Sequence, residues 1–242
     1  MKVFIIPDVH LKPCMWTQAK KIVNKLNPDR IIFLGDLVDD FGCTNNPKLY
    51  QETLAQALTF VSQYPDTLWC YGNHDIAYFL NMAIPGTASH SSFQTVKEGL
   101  EKLYHTIPNG HLKYVHQIDH VLFSHAGISR MFVKDHFNET DYKHVERVVQ
   151  AINQMKMDDM WYDESPLWLR PQKQYRKMLI RMYAPRKYLQ VVGHSPMKTI
   201  AQENNLLSCD TFSTYSNGLP YGSQEFCLLD TLSFKWQAIS GK

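Results

Sequence analysis

Nothing in this 242-residue sequence approaches the roughly 18 consecutive apolar residues of a membrane span. The apolar run Val3-Phe4-Ile5-Ile6 leads straight into Pro7-Asp8 and is too short for the core of a signal peptide. Cysteine is sparse: Cys14, Cys43, Cys70, Cys209 and Cys227 are scattered, odd in number and form no C-x-x-C. That spacing argues against a disulfide framework and a zinc–thiolate site, and it suits free thiols in a reducing compartment. Excess charge is absent as well. A formal net charge of +2 speaks against a dedicated nucleic-acid binder. These absences together lead us to expect a soluble, cytoplasmic protein. No internal repeat, low-complexity tract or linker divides the chain, so one domain over residues 1–242 is expected. At this length roughly 70–75% of the unfolded surface can be buried without staples.

What is present is a series of short apolar runs separated by helical stretches. Strands are expected at 2–6, 30–34 and 67–71, with helices at 15–26 and 49–63. Residues 76–111 read as helices and loops. Residues 112–118 and 121–124 read as two strands joined by the Asp119-His120 turn. A mainly helical segment, interrupted by Ser165-Pro166-Leu167-Trp168-Leu169-Arg170-Pro171, is expected at about 129–187, then strands at 189–192, 199–201, 206–209, 225–229 and 232–238. Strands alternating with helices imply a layered α/β fold.

The polar residues fall in a telling place. Asp8 and His10, Asp36, Asn73 and His74, His125, and His194 each follow the carboxyl end of an apolar strand. In layered α/β folds that edge is where ligands bind. Taken singly, each has a plain alternative. Asp8 and His10 could form a turn or a helix cap, Gly35-Asp36 a strand-to-loop turn, Asn73 an Asx turn, and His125 and His194 satisfied structural histidines. Brought into one cleft, however, these carboxylates and imidazoles would need cations between them, and a pair of divalent metal ions is the simplest answer.

In order, Asp8-x-His10, Gly35-Asp36-x-x-Asp39, Gly72-Asn73-His74-Asp75, His125-Ala126-Gly127 and Gly193-His194 resemble the motifs of calcineurin-like metallophosphoesterases. Leu167-Trp168-x-Arg170 and Gly193-His194-Ser195-Pro196 look like the phosphoprotein-phosphatase branch, which includes bacterial Ser/Thr phosphatases and diadenosine tetraphosphate hydrolases. The resemblance implies a β-sandwich of two mixed sheets flanked by helices. It further implies two divalent ions, manganese first and iron or zinc as alternatives, bridged by Asp36. Asp8 and His10 would complete one site, and Asn73, His125 and His194 the other. A metal-activated hydroxide would attack phosphorus in line. His74, oriented by Asp39, would protonate the leaving oxygen, and Arg170 would clamp phosphate oxygens. Trp168 reads as core packing.

Two positions depart from the family pattern. Asp40 stands where a phosphate-binding arginine is usual, which implies a different substrate or a compensating cation from another loop. Pro196 stands where many phosphodiesterases carry a second histidine, and this favours a phosphatase. Lys173, Lys177 and Arg181 would share one helical face opposite Tyr175, Met178, Leu179 and Met182. That face is either simply solvated or an anion-steering rim. The expected substrate is a phosphomonoester on a phosphoprotein, nucleotide or dinucleotide. A phosphodiesterase and a non-catalytic metal-bound scaffold are the alternatives.

Overall fold

The computed structural model describes residues 1–138, 143–175, 179–184 and 186–241. Two mixed sheets pack face to face with helices on their outer faces. In the first, β1 (Lys2–Ile6) runs parallel to β2 (Arg30–Phe33), which runs parallel to β3 (Leu68–Cys70). The two-residue β4 (Leu112–Lys113) extends that edge, while β10 (Glu225–Asp230) and β11 (Trp236–Ser240) lie antiparallel on the other side of β1. In the second, β6 (Val121–Ser124), β7 (Leu189–Val192) and β9 (Leu206–Ser208) are parallel. Antiparallel β5 (Val115–Ile118) and β8 (Ala201–Glu203) close its edges.

The central strands are buried on both faces, which is why they read as unbroken apolar runs. Val3, Ile5, Ile32, Leu34, Phe123 and Val191 fill the space between the sheets. Phe4, Ile6, Phe33 and Trp69 face outward against α1 (Cys14–Leu26) and α2 (Pro47–Gln63). There the Trp16 and Trp69 rings stack 5.5 Å apart and Phe33 meets Trp69 edge-on at 4.9 Å. Helix α1 turns Met15, Trp16, Ala19, Ile22 and Val23 inward and ends at Asn27, whose left-handed backbone returns its N–H to Val23 O. Asn46 caps α2 by accepting from Leu49 N, with Pro47 in the first turn. Helices α3 (Asn73–Phe79) and α4 (Phe93–Thr106) complete this layer. On the opposite face, α5 (Arg130–His136) and α6 (Val145–Ile152) cover Leu122. Among the described residues no helix is long and apolar enough to cross a membrane.

Four expectations need correction. The single strand at 112–118 is broken at Tyr114, and its halves join different sheets. The side chain of Asn153 bonds both Val115 N (2.9 Å) and Val115 O (2.8 Å), satisfying the backbone where the chain crosses over. Among its described residues, the segment 129–187 holds α5, α6 and the 3₁₀ turns Asp158–Met160 and Lys173–Tyr175. Pro166 and Pro171 deny a helix its backbone donors. Lys177 and Met178 lie outside the described residues, and Leu179 to Met182 are not helical, so no amphipathic basic helix forms among the described ones. The strands expected at 199–201 and 232–238 begin later, at Ala201 and Trp236. For the second, Asp230 caps Leu232 N and Ser233 N in a turn that leaves Leu232 exposed.

Candidate metal centre

The loops leaving β1, β2, β3, β6 and β7 meet at one edge of the sandwich. Val9 N and His10 N both donate to Asp36 O, at 2.9 and 3.0 Å, sewing the first two loops together. Two glycines allow the approach of the others. A Cβ on Gly72 would lie 2.1 Å from Asp36 N, and one on Gly193 would lie 2.0 Å from Asp8 Oδ2. Only a residue without a side chain fits either place. The carboxylate of Asp75 then accepts from Leu37 N and Val38 N, fixing the loop that carries Asp36 and Asp39.

Six of the expected ligand positions, together with His74, are gathered there. Ligand atoms of His10, Asp36 and His74 converge within 4.8 Å, and so do those of Asp36, His125 and His194. Asp36 Oδ2 lies 3.3 Å from His125 Nε2 and 3.7 Å from His10 Nε2. Asn73 Oδ1 is 2.7 Å from His125 Nε2, and Asp8 Oδ1 is 3.8 Å from His125 Nδ1 while accepting from His194 N at 2.8 Å. Asp39 Oδ2 stands 3.2 Å from His74 Nδ1. Arg170 is placed at the rim, where Nη1 donates to His194 O at 3.0 Å and the guanidinium lies over the Tyr175 ring. Trp168 packs edge-on against His194 and Trp161.

Backbone carbonyls set which nitrogen each imidazole offers. His10 Nδ1 donates to Asp39 O, His125 Nδ1 to Leu34 O and His194 Nε2 to Trp168 O, leaving Nε2, Nε2 and Nδ1 respectively as ligand atoms. Two observations show that this pocket suits cations. Asp8 Oδ2 is fully buried and meets no donor among the described residues. Three oxygen acceptors crowd the His125 ring as well: Leu34 O lies 2.9 Å from Nδ1, and Asn73 Oδ1 and Asp36 Oδ2 lie 2.7 and 3.3 Å from Nε2. Acceptors so close need a positive charge beside them.

The electrostatics agree. Burial, then the charges of Asp210 and Asp36, push the Asp8 carboxyl well above the usual range. Burial alone would raise Asp36 too, but His125, His74 and His10 hold it below that range. Burial makes His10 and His194 less basic, as ligands to a cation should be. His74 goes the other way: burial lowers its pKa, but the Asp36 charge and the Asp39 hydrogen bond outweigh it and the net shift is upward.

Asp40 has local partners. Its Oδ2 pairs with Lys12 Nζ at 2.8 Å, and its Oδ1 accepts from Phe41 N and from Thr214 Oγ1. The cation that neutralises Asp40 thus comes from the loop after β1. The sequence offered no sign of this pairing, nor of Tyr50 and Tyr78, which lie on the buried faces of α2 and α3 and both bond Asp39.

Known proteins share this family and this fold. The family described as calcineurin-like phosphoesterase matches residues 1–227. No curated protein matches the sequence. Among solved structures, the cold-active protein-tyrosine phosphatase of a psychrophile Shewanella sp. is similar, with a TM-score of 0.57 at 15% identity over 99% of this chain and 80% of that one. A further structure of a cold-active protein tyrosine phosphatase gives a TM-score of 0.53 at 16% identity over 98% and 78%. Both show the sandwich fold. With the family match covering nearly its whole length, the chain belongs to the calcineurin-like phosphoesterases and is a phosphoester hydrolase.

Proposed function

We propose that the chain is a dinuclear-metal-dependent phosphomonoesterase acting on a phosphoprotein or a nucleotide. The observation that carries this reading is the position of Asp36, one buried carboxylate shared by two groups of histidines. Asp8, His10 and Asp36 would hold one ion, and Asp36, Asn73, His125 and His194 the other. Oxygen and imidazole donors without thiolate suit manganese, iron or zinc better than calcium, and manganese is our first choice. Bound there, such ions supply a water-derived nucleophile at neutral pH and neutralise charge on phosphoryl oxygens.

The protein's own groups do the rest. His74 Nδ1 is committed to Asp39, so Nε2 is the nitrogen left to reach the substrate. As the ester P–O bond breaks, the leaving oxygen takes the Nε2 proton, while Asp39 supports the ring through Nδ1. Arg170, anchored on the His194 carbonyl, sets its planar fork at the rim for phosphoryl oxygens. Pro196 in place of a further histidine supports a phosphatase over a diesterase. Five free cysteines are consistent with a cytoplasmic setting.

The test is a substrate screen of the manganese-loaded protein. We expect hydrolysis of p-nitrophenyl phosphate and of either a phosphopeptide set or diadenosine tetraphosphate. Activity on bis(p-nitrophenyl) phosphate alone would identify a phosphodiesterase instead. Silence on all four with metal bound would indicate a scaffold.

A further inference from the structure

Asp39 is fully buried, sits in a left-handed backbone conformation (φ 69°), and has each of its oxygens assigned to a different task. Its carbonyl accepts from His10 Nδ1 at 2.9 Å. Its Oδ2 faces His74 Nδ1 at 3.2 Å. Its Oδ1 accepts two phenolic O–H groups, from Tyr50 at 2.9 Å and from Tyr78 at 2.6 Å. One tyrosine comes from α2 and the other from α3, so the carboxylate is gripped from two separate helices.

We propose that Tyr50 and Tyr78 are positioning residues for the leaving-group acid, holding Asp39 so that His74 presents Nε2 to the departing oxygen. This rests on the reading of His74 as the acid.

The chemistry explains why phenols serve. A buried carboxylate must be hydrogen-bonded to stay charged. A lysine or arginine on Oδ1 would do that but would also cancel the charge that orients and supports the imidazolium. Two neutral donors solvate the carboxylate and leave its charge for His74. Burial, and then the charge of Asp39 itself, pushes both tyrosines above their ordinary range, so they remain protonated donors. With both lone-pair directions of Oδ1 filled, the carboxylate cannot rotate Oδ2 away from the ring. The tyrosine rings meanwhile pack in the apolar cluster beneath α1 and α2, with Tyr78 also 4.7 Å from Phe93, so phenylalanine fits both positions.

The experiment compares Tyr50→Phe, Tyr78→Phe and the double variant with His74→Ala, all manganese-loaded, on phenyl phosphate and p-nitrophenyl phosphate. Acid assistance matters most for the poorer leaving group. The double variant should lose about tenfold or more of kcat on phenyl phosphate and less than about threefold on p-nitrophenyl phosphate, with KM and metal content unchanged. Independently of activity, the His74 Nδ1–H resonance should shift in ¹H–¹⁵N spectra of the double variant loaded with diamagnetic zinc in place of manganese. Should that variant fold poorly, Tyr78→Phe carries both readouts. Wild-type leaving-group dependence and an unmoved resonance in the tyrosine variants, with His74→Ala steepening the dependence, would overturn the inference while sparing the acid. A His74→Ala enzyme with unchanged leaving-group dependence would overturn both.

Discussion

Between the sheets, Ile5, Leu34, Cys70, Phe123 and Val191 pack as an apolar layer; a few residues along the same strands, Asp8, Asp36, Asn73, His125 and His194 are almost as completely buried. The two regions are adjacent yet opposite in chemistry. Each large side chain in the layer contributes about 1.5–3 kcal/mol by leaving water. The carboxylates at the edge cost free energy when they leave it. The edge also holds His10, Asp36, Asp39 and His194 at φ 43°, 58°, 69° and 61°, a conformation uncommon outside glycine. Desolvated charge and backbone strain therefore coincide, as expected where a fold spends stability on a site. The layer holds the edge in place, and the edge carries the chemistry.

If that division is right, substitutions on its two sides should separate activity from stability. The largest effect is expected for Asp36→Asn. It should lower kcat by at least about 10³-fold and cut metal content below two per chain, without lowering the melting temperature of the metal-free protein. Activity assay, elemental analysis and calorimetry read the three outcomes. His74→Ala should cost about 10²–10⁴-fold in kcat while metal content stays near two per chain. Loss of metal in that variant would make His74 a ligand, an assignment its convergence with His10 and Asp36 also permits.

On the other side of the comparison, Phe123→Ala should destabilise the fold by about 3–5 kcal/mol in urea titrations. The remaining folded enzyme should keep kcat within about threefold, since the Phe123 ring packs in the apolar layer.

A smaller effect concerns His116, a histidine that serves packing. Burial outweighs its hydrogen bond to Trp69 O and lowers its pKa to about 4. The unfolded chain binds this proton from pH 6.5 downward and the folded chain only near 4. Stability should therefore decline as pH falls through that window, by about 3 kcal/mol, and level off below it. His116→Gln should flatten this part of the pH–stability curve relative to the native protein. His74 is shifted the opposite way, because the charge of Asp36 and the hydrogen bond to Asp39 outweigh its burial.

How far the sequence revealed this follows from the same contrast. The strand ends were legible because a run buried on both faces is apolar throughout, so Asp8, Asp36, Asn73, His125 and His194 stand out at the point where each run stops. Tyr50 and Tyr78 were not, because a tyrosine whose ring is in the core looks like any other apolar helix residue until its hydroxyl partner is known. Lys12, Asp40 and Thr214 join loops far apart in sequence, and no local pattern encodes such a meeting. The crossover at Tyr114 was hidden because a chain leaving one sheet for another keeps its extended pattern; only the bonds from Asn153 mark the break. The break at 165–171 was legible from Pro166 and Pro171, but apolar spacing on either side of it suggested helices where the described residues between 161 and 184 settle into turns.

The most direct measurement is an anomalous-scattering map from crystals grown with ample manganese. Two peaks that share Asp36 are expected, with Asp8 and His10 on one, Asn73, His125 and His194 on the other, and His74 bound to neither. A map in which Asp36 touches no ion, or in which His74 ligates one, would contradict this.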